Sequence, residues 1–402
     1  FDPKTDRIVA NDQENIRRAL QRLEIHLSYD TFMMQMCVKM PSYSGLYQDA
    51  QRNEIWLEIE KQFRFRPSPD YFDVCVDVIA RETSFHPVVD YLSGLTWDGT
   101  PRLDSWLIDY GGAADTEYTR AISSIWMIAA VRRVRDTTNN GVKFDELIVL
   151  ESAQGLSKST ALRTLCPNED WFSDDLPLDV DAKQLIERTI GKWIIEAAEL
   201  AGMRQSQVES LKAMLSRQKD GPVRMAYGRV PIQRGRHFVL MGTTNSDAYL
   251  KDSTGNRRFW PIRVQQFNIP GLREVRDQLW AEAAYREARG ESIRLDPALY
   301  HIAALQQERR RAEDPWEIRL NERFPRDQPW RLTPDEVWQA LGVSIDRRDE
   351  RGNERLMRAM THLGFRRGTV MVKDDDGNPT TRRTKGFVRP IIEGQTDLPW
   401  ET

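Results

Sequence analysis

The sequence predicts an α/β fold, with a three-layer core around a largely parallel sheet. Three observations point there. Glu146–Glu151, ELIVLE, is a short apolar run of the kind that fills a buried strand. Small polar residues follow over 152–160, and helix resumes at Ser159–Leu165. Trp193-Ile194-Ile195 and His237–Met241 are two more such runs, with helical segments between them, and strands alternating with helices give a parallel sheet.

Ahead of that core, residues from about 11 to 66 read as helices mixed with polar turns. Ile16, Leu20, Leu23 and Ile25 recur close to helical spacing. Val74, Val76, Val78 and Ile79 suggest another buried helix or strand. Trp97-Asp98-Gly99-Thr100-Pro101-Arg102-Leu103 is a turn that feeds a helix over Leu103–Tyr110, closed by Gly111-Gly112. Thr119–Asp136 is a strongly apolar helix expected to pack against the next domain.

Inside the core, Gln205–Arg217 reads as an amphipathic helix. The basic, turn-rich stretch after it, with Arg224, Tyr227-Gly228-Arg229, Arg234 and Arg236, suits a β-hairpin with a cationic tip. Beyond about residue 295 the chain turns helical and highly charged. Thr333-Pro334-Asp335 starts a helix, with Thr as cap and Pro in the first turn. A second helix runs from about Arg351 to Leu363, and Val370–Lys373 and Gly386–Arg389 flank a hairpin signal at Asp376-Gly377-Asn378. Helix, helix and hairpin in that order suggest a winged helix. The expected division is a mainly helical region over 1–115, the α/β domain over 116–290, and a helical, winged-helix-like domain over 291–402.

Bulk properties narrow the function classes. A chain of 402 residues holds two or three domains. Its net charge of −3 gives no global signature of nucleic-acid binding, so any such site must be a local patch. The three cysteines, Cys37, Cys75 and Cys166, form no CxxC pair, and the five histidines show no ligand spacing, which argues against structural zinc. Lone cysteines suit a reducing cytoplasm, where the protein is expected. No apolar run reaches the roughly 18 residues of a membrane span. The amino terminus, Phe1-Asp2-Pro3-Lys4, does not read as a secretory signal and looks like a fragment boundary, with a further domain expected upstream.

The segment that carries chemistry is Ser152-Ala153-Gln154-Gly155-Leu156-Ser157-Lys158-Ser159-Thr160. It sits between a strand and a helix, the setting in which backbone N–H groups and a helix amino terminus converge on phosphate oxygens. Residues Gln154 to Thr160 would then cradle a nucleotide, with Lys158 on the β- and γ-phosphates and Ser159 on magnesium. Ser152 and Ser157 stand where the GxxxxGK[ST] pattern has glycine; the alternative is a degenerate loop that caps a helix and binds nothing.

Downstream residues extend the pattern. Trp193-Ile194-Ile195-Glu196 is an apolar strand ending in an acid, with Glu199 three residues on. One acid would hold magnesium and the other polarise a water; the alternative is two surface glutamates. Asn245 ends the strand LMGTTN and would align the lytic water, unless it is an ordinary strand-end amide. Arg257 and Arg258 precede another apolar strand, placed either to complete a neighbouring subunit's site or to form surface salt bridges.

The order of phosphate loop, acid strand, basic hairpin, Asn strand and Arg pair resembles superfamily 3 helicases, a branch of the AAA+ ATPases. WDGTPRLDSWL, the loop, KWIIEAAEL, the Lys212–Arg229 stretch, GTTN and GNRRFWP together resemble the virulence-associated E (VapE) family of phage and mobile-element replication proteins, over roughly residues 90–265. The resemblance implies an AAA+-type P-loop core and an ATP- and magnesium-dependent DNA helicase, built as a hexameric ring, that works with other replication proteins. It also implies that a hairpin tip, here Tyr227-Gly228-Arg229 with Arg224 and Arg234 beside it, tracks single-stranded or forked DNA. Arg355, Arg358, Arg382, Arg383 and Lys385 of the basic carboxy-terminal module are candidates for further DNA contacts, or for protein docking. Two rivals stand beside this reading: a DNA-binding ATPase switch or loader that does not unwind, and a structural ring subunit whose altered loop has lost catalysis.

Overall fold

The computed structural model describes residues 8–176, 178–224, 230–250, 255–312, 314–373 and 379–390. The chain divides into two compact units, one of Phe1–Asp247 with Arg257–Glu308 and one of Ala248–Asn256 with Arg309–Thr402.

The first unit opens with α1 (Gln13–Arg22), capped by the Asp12 carboxylate, which accepts from the Asn15 N–H. Three strands follow, β1 (His26–Asp30), β2 (Gln35–Met40) and β3 (Tyr43–Leu46), then α2 (Asp49–Phe63), α3 (Pro69–Glu82), the short β4 (Ser84–Phe85) and α4 (Pro87–Gly94). These strands make a sheet of order β3-β2-β1-β4, antiparallel except where β4 joins β1. The mainly helical region expected here is therefore mixed α/β. The missed signal is the alternation of Met36, Val38 and Met40 with Gln35, Cys37 and Lys39 in β2. Those three apolar side chains pack against Ile16, Leu20, Ile55 and Val76 of the helices.

After α5 (Trp106–Asp109), α6 (Glu117–Arg135) crosses the interior with Ile122, Trp126, Ile128, Ala129 and Val131 fully buried. It leads to β5 (Leu147–Glu151) and α7 (Lys158–Leu165), then β6 (Phe172–Ser173), α8 (Ala182–Thr189), β7 (Ile194–Ala197) and α9 (Gln205–Leu215). β8 (Lys219–Val223) and β9 (Ile232–Gly235) pair antiparallel where the hairpin is expected; Tyr227 and Arg229, expected at its tip, lie outside the described residues. β10 (Val239–Thr244), β11 (Phe259–Arg263), α10 (Ile269–Ala288) and α11 (Tyr300–Arg309) complete the run.

Five of these strands form a parallel sheet of order β11-β5-β10-β7-β6, as the alternating pattern predicts. Every residue of β5 is buried, which is why it reads as a continuous apolar run. Ile148, Leu150, Ile194, Val239 and Met241 join α6, α7 and α10 in one core. Four fully buried tryptophans anchor it, and each indole N–H reaches a carbonyl: Trp106 to Ser123, Trp126 to Leu240, Trp193 to Ala130 and Trp280 to Leu165.

The second unit carries α12 (Pro315–Arg323), β12 (Trp330–Leu332), α13 (Pro334–Leu341), α14 (Glu350–His362), β13 (Arg366–Lys373) and β14 (Pro379–Arg389). Its sheet has the order β12-β14-β13 and is antiparallel throughout. Thr333 caps α13 in a reciprocal box with Glu336, as its sequence predicts. Leu320, Val337, Trp338, Leu356, Met360 and Phe387 form its core.

Candidate functional site

In a parallel sheet the loops at the carboxyl ends of the strands gather on one side, where ligands bind. Here β5, β7 and β10 deliver the 152–157 loop, Glu196 and Asn245 to that side. The loop is tied at both ends. The Ser152 N–H donates to the Thr244 carbonyl, and the Leu156 carbonyl accepts from the Phe267 N–H. Within it, Gly155 (φ +85°) and Ser157 (φ +62°) both take the left-handed conformation. For Ser157 this costs about 1 kcal/mol. Its hydroxyl accepts from the Gln266 amide at 3.1 Å.

Lys158 is the first residue of α7, and it is buried. Its ammonium donates to the carbonyl of Ser152 (3.0 Å), the hydroxyl of Ser152 (2.7 Å), the carbonyl of Ala153 (3.1 Å) and Oδ1 of Asn245 (2.8 Å). Burial pulls its pKa below the ordinary lysine value, and the nearby Glu196 carboxylate opposes that shift. Gln154, Gly155 and Thr160 are exposed around it, and Leu156 is half-buried.

One residue further, the Ser159 hydroxyl donates to Oε1 of Glu196 at 2.8 Å. That same oxygen accepts from the Thr243 hydroxyl at 2.6 Å, while Oε2 is buried and has no partner. Glu196 itself is only 1% exposed, which removes the reading of a surface glutamate. A bare buried carboxylate oxygen beside a serine hydroxyl suits a hard cation. Magnesium is commonly held by one or two protein oxygens, with waters and phosphate oxygens filling the rest. Among the described residues no cluster of three or more His, Cys, Asp or Glu offers an all-protein cage. Ser159 and Glu196 thus fit magnesium that arrives with a nucleotide.

The structure brings together Lys158, Ser159, Glu196 and Asn245; it gives Ser152, noted in the sequence only for standing at a glycine position, two contacts with Lys158, and it adds Thr243, which sequence reasoning did not single out. Thr243 lies in the GTTN segment, but nothing in the sequence distinguishes it from Thr244. Glu199 stands apart: it is exposed, in the left-handed region (φ +52°), at the head of the turn Leu200–Gly202.

Arg257 and Arg258 lie at the other end of the sheet. In register, Phe259 pairs with Leu147, so both arginines sit beside the start of β5, whereas Ser152 follows its end. Five residues of strand separate the two positions, roughly 16 Å. Arg258 donates through Nε and Nη2 to the Ser216 hydroxyl, at 3.2 and 2.8 Å, while Arg257 is exposed. Both line a cavity of about 420 Å³ with Lys143, Asp145, Glu146 and Trp260.

On the hairpin, Arg224 is exposed directly after β8. Arg234, expected among the DNA contacts, instead packs into the protein. Its Nη2 is 3.0 Å from Nδ1 of His237, and burial pulls its pKa down. Arg236 is more deeply buried still, in an ion pair with Asp220 at 2.7 Å. In the second unit, Arg355 is likewise engaged, paired with Asp314 at 2.7 Å and stacked 4.3 Å over Trp316. Arg366, Arg367, Arg382, Arg383 and Lys385 are exposed along β13 and β14.

These features define a mixed α/β protein with a parallel sheet, whose carboxyl-end loop surrounds a buried lysine. A family model of the virulence-associated protein E-like domain matches residues 92–312. That is more than half of the chain, and the chain belongs to this family. No curated protein matches it. Among solved structures, the apo C-terminal region of NrS-1 (305–718) is similar with TM-score 0.51 and 10% identity, covering 96% of this chain and 100% of that one. A second, A-form apo structure of the NrS-1 C-terminal region has TM-score 0.48 and 12% identity, covering 94% and 100%. A JCV helicase structure matches with TM-score 0.27 and 12% identity, covering 74% and 92%. The first of these likenesses supports the fold alone, and the other two carry no argument. No helix among the described residues is long and apolar enough to cross a membrane.

Proposed function

We infer that the chain is an ATP-dependent DNA helicase or translocase of the superfamily 3 type, built on an AAA+-type phosphate-loop core. One observation carries the reading. A buried lysine on the first turn of a helix points its ammonium at loop oxygens, beside a buried carboxylate that keeps one oxygen bare. Four close contacts hold the Lys158 ammonium in place. Phosphate oxygens would exchange with these, since a charged donor binds an anionic acceptor more strongly than a neutral one. The loop N–H groups and the amino end of α7 add donors to the same anion. Ser159 and Glu196 would hold magnesium, which neutralises charge on the β- and γ-phosphates. Asn245, already in contact with the lysine, would orient the attacking water through its side-chain amide.

Within one copy, Arg257 and Arg258 are too far from Lys158 to share a phosphate with it. Completion of the site by Arg257 or Arg258 would therefore require a second copy, which suits a ring. The hairpin, with exposed Arg224 at its base, and the exposed cations of β13 and β14 supply candidate DNA surfaces. The element order of the second unit, with α13 and α14 followed by the β13–β14 hairpin, supports a winged helix. Strand displacement on a forked substrate, with Lys158→Ala as control, tests the proposal. ATP turnover without displacement would favour a loader or switch, and no turnover at all a structural subunit.

A further inference from the structure

We propose that Thr243 is a positioning residue for magnesium: its hydroxyl fixes the Glu196 carboxylate so that Oε2, and not Oε1, faces the metal. The proposal rests on the nucleotide-site reading above and names a residue that the reading does not need.

The geometry starts from register. Glu196 on β7 pairs with Met241 on β10, and side chains on a strand alternate between faces. Thr243, two residues beyond Met241, therefore shares Glu196's face of the sheet. Its Oγ1 donates to Oε1 at 2.6 Å. Ser159 approaches the same oxygen from α7 at 2.8 Å. Two donors on Oε1 and none on Oε2 set the rotation of the carboxylate, and the bare oxygen is buried. An unpartnered buried carboxylate oxygen is unfavourable by itself, and a cation there would satisfy it.

The two donors are not equivalent. Ser159 sits on the loop-facing turn of α7, and its oxygen is itself a candidate metal ligand, so its hydrogen bond to Glu196 must share that atom. Thr243 is 5% exposed, next to the last residue of a central strand. Its bond to Glu196 is the one that persists whether or not the metal is present. Partners of this kind, which orient a ligand without touching the metal, typically change metal affinity by about 10–100-fold when removed.

The test uses the full chain and a fluorescent ATP analogue, titrated in EDTA and then across a magnesium series. The affinity in EDTA is each variant's own reference. In Thr243→Val the branched shape is kept and the hydroxyl lost; in Thr243→Ser the hydroxyl is kept. For wild type, magnesium should tighten nucleotide binding. For Thr243→Val the magnesium concentration at half effect should rise about ten- to a hundredfold. Thr243→Ser should restore it toward wild type, and circular dichroism reports folding for both. A wild-type magnesium response in Thr243→Val overturns the role of Thr243 and leaves the nucleotide site standing. Equal loss in Thr243→Val and folded Thr243→Ser overturns it too, because the effect would then be packing. If wild type binds no nucleotide, or binds it equally after Lys158→Ala, the site reading fails and takes this proposal with it. Should Thr243→Val not fold, Thr243→Ser against Thr243→Ala decides by the same comparison.

Discussion

Nζ of Lys158 and Oδ1 of Asn245 stand 2.8 Å apart, which links the first turn of α7 to the end of β10. The lysine's other contacts are all with Ser152 and Ala153, so its charge serves the loop and not the core. Lys158→Ala should therefore leave a folded protein whose ATP turnover has fallen by about 10²-fold or more. Asn245→Ala should keep nucleotide binding and lose turnover. Steady-state ATPase assays beside equilibrium binding check both, and turnover within a few-fold of wild type in Lys158→Ala would sink the assignment.

Ser157 offers a test of the loop itself. Because φ is +62° there, Ser157→Gly relieves about 1 kcal/mol of backbone strain. The gain is partly offset by greater freedom of the unfolded chain and by the lost contact with Gln266. Nucleotide affinity should stay level or improve. Ser157→Val, with a β-branched residue in the left-handed region, should weaken binding sharply. Calorimetric titration of both variants decides it, and tighter binding by the valine variant would contradict the geometry.

Arg258→Ala should abolish hydrolysis while ATP still binds, because the guanidinium is remote from the loop of its own chain. Subunits carrying Arg258→Ala, mixed with subunits carrying Lys158→Ala, should regain part of the activity. Mixed assemblies contain some interfaces with both residues intact. No recovery under conditions where subunits exchange would argue against a shared site.

Arg229 and Arg234 look alike in sequence but carry different predictions. Arg229, outside the described residues, is expected at the tip, and Arg229→Ala should lower the salt slope of single-stranded DNA binding by roughly 0.7. Arg234 is packed against His237, so Arg234→Ala should lower the melting temperature and leave the slope unchanged. DNA titrations over a range of salt, paired with thermal melts, distinguish the two.

The histidine pair predicts a pH response. Nε2 of His86 is 3.3 Å from Nδ1 of His237. Burial, then the charge of Arg234, pulls His86 down to about 4 and His237 to about 3. Unfolded histidines take up protons near pH 6.5, before the folded ones do. Stability is thus fully present above that pH and falls as pH drops toward 4, by at most about 1.4 kcal/mol per unit for each histidine. Asp30, raised chiefly by burial, pulls the other way at the acid end of that window. Urea denaturation at pH 7 and pH 5 measures the slope, and His237→Asn should flatten it.

Much of the core was legible because buried parallel strands leave unbroken apolar runs, as in Leu147–Glu151 and Val239–Thr244. Helix boundaries followed from caps such as Thr333. The candidate site was legible where one motif carries it, at Lys158 and Ser159, and where an acid ends an apolar strand, at Glu196. Other relationships depend on register between distant segments and leave no local trace. Thr243 meets Glu196 across 47 positions. Arg234 turns inward beside His237 and into the field of Asp220 and, from far earlier in the chain, of Tyr29 and Asp30. The amino-terminal sheet escaped notice because its strands are short and only partly buried, so their alternation is weak.

The placement of Arg257 and Arg258 at one end of β5 and the phosphate loop at the other gives each chain two unlike surfaces. A two-fold dimer would join them only if one patch spanned both ends of β5, loop against arginines in each direction; otherwise the contacts are head to tail. Such contacts close into a ring or run on as a filament, and either form dissociates on dilution. Turnover per chain would then climb with protein concentration before reaching a plateau, and an excess of Arg258→Ala chains would poison the wild type, whereas an excess of Lys158→Ala chains, which still donate the arginine, would not.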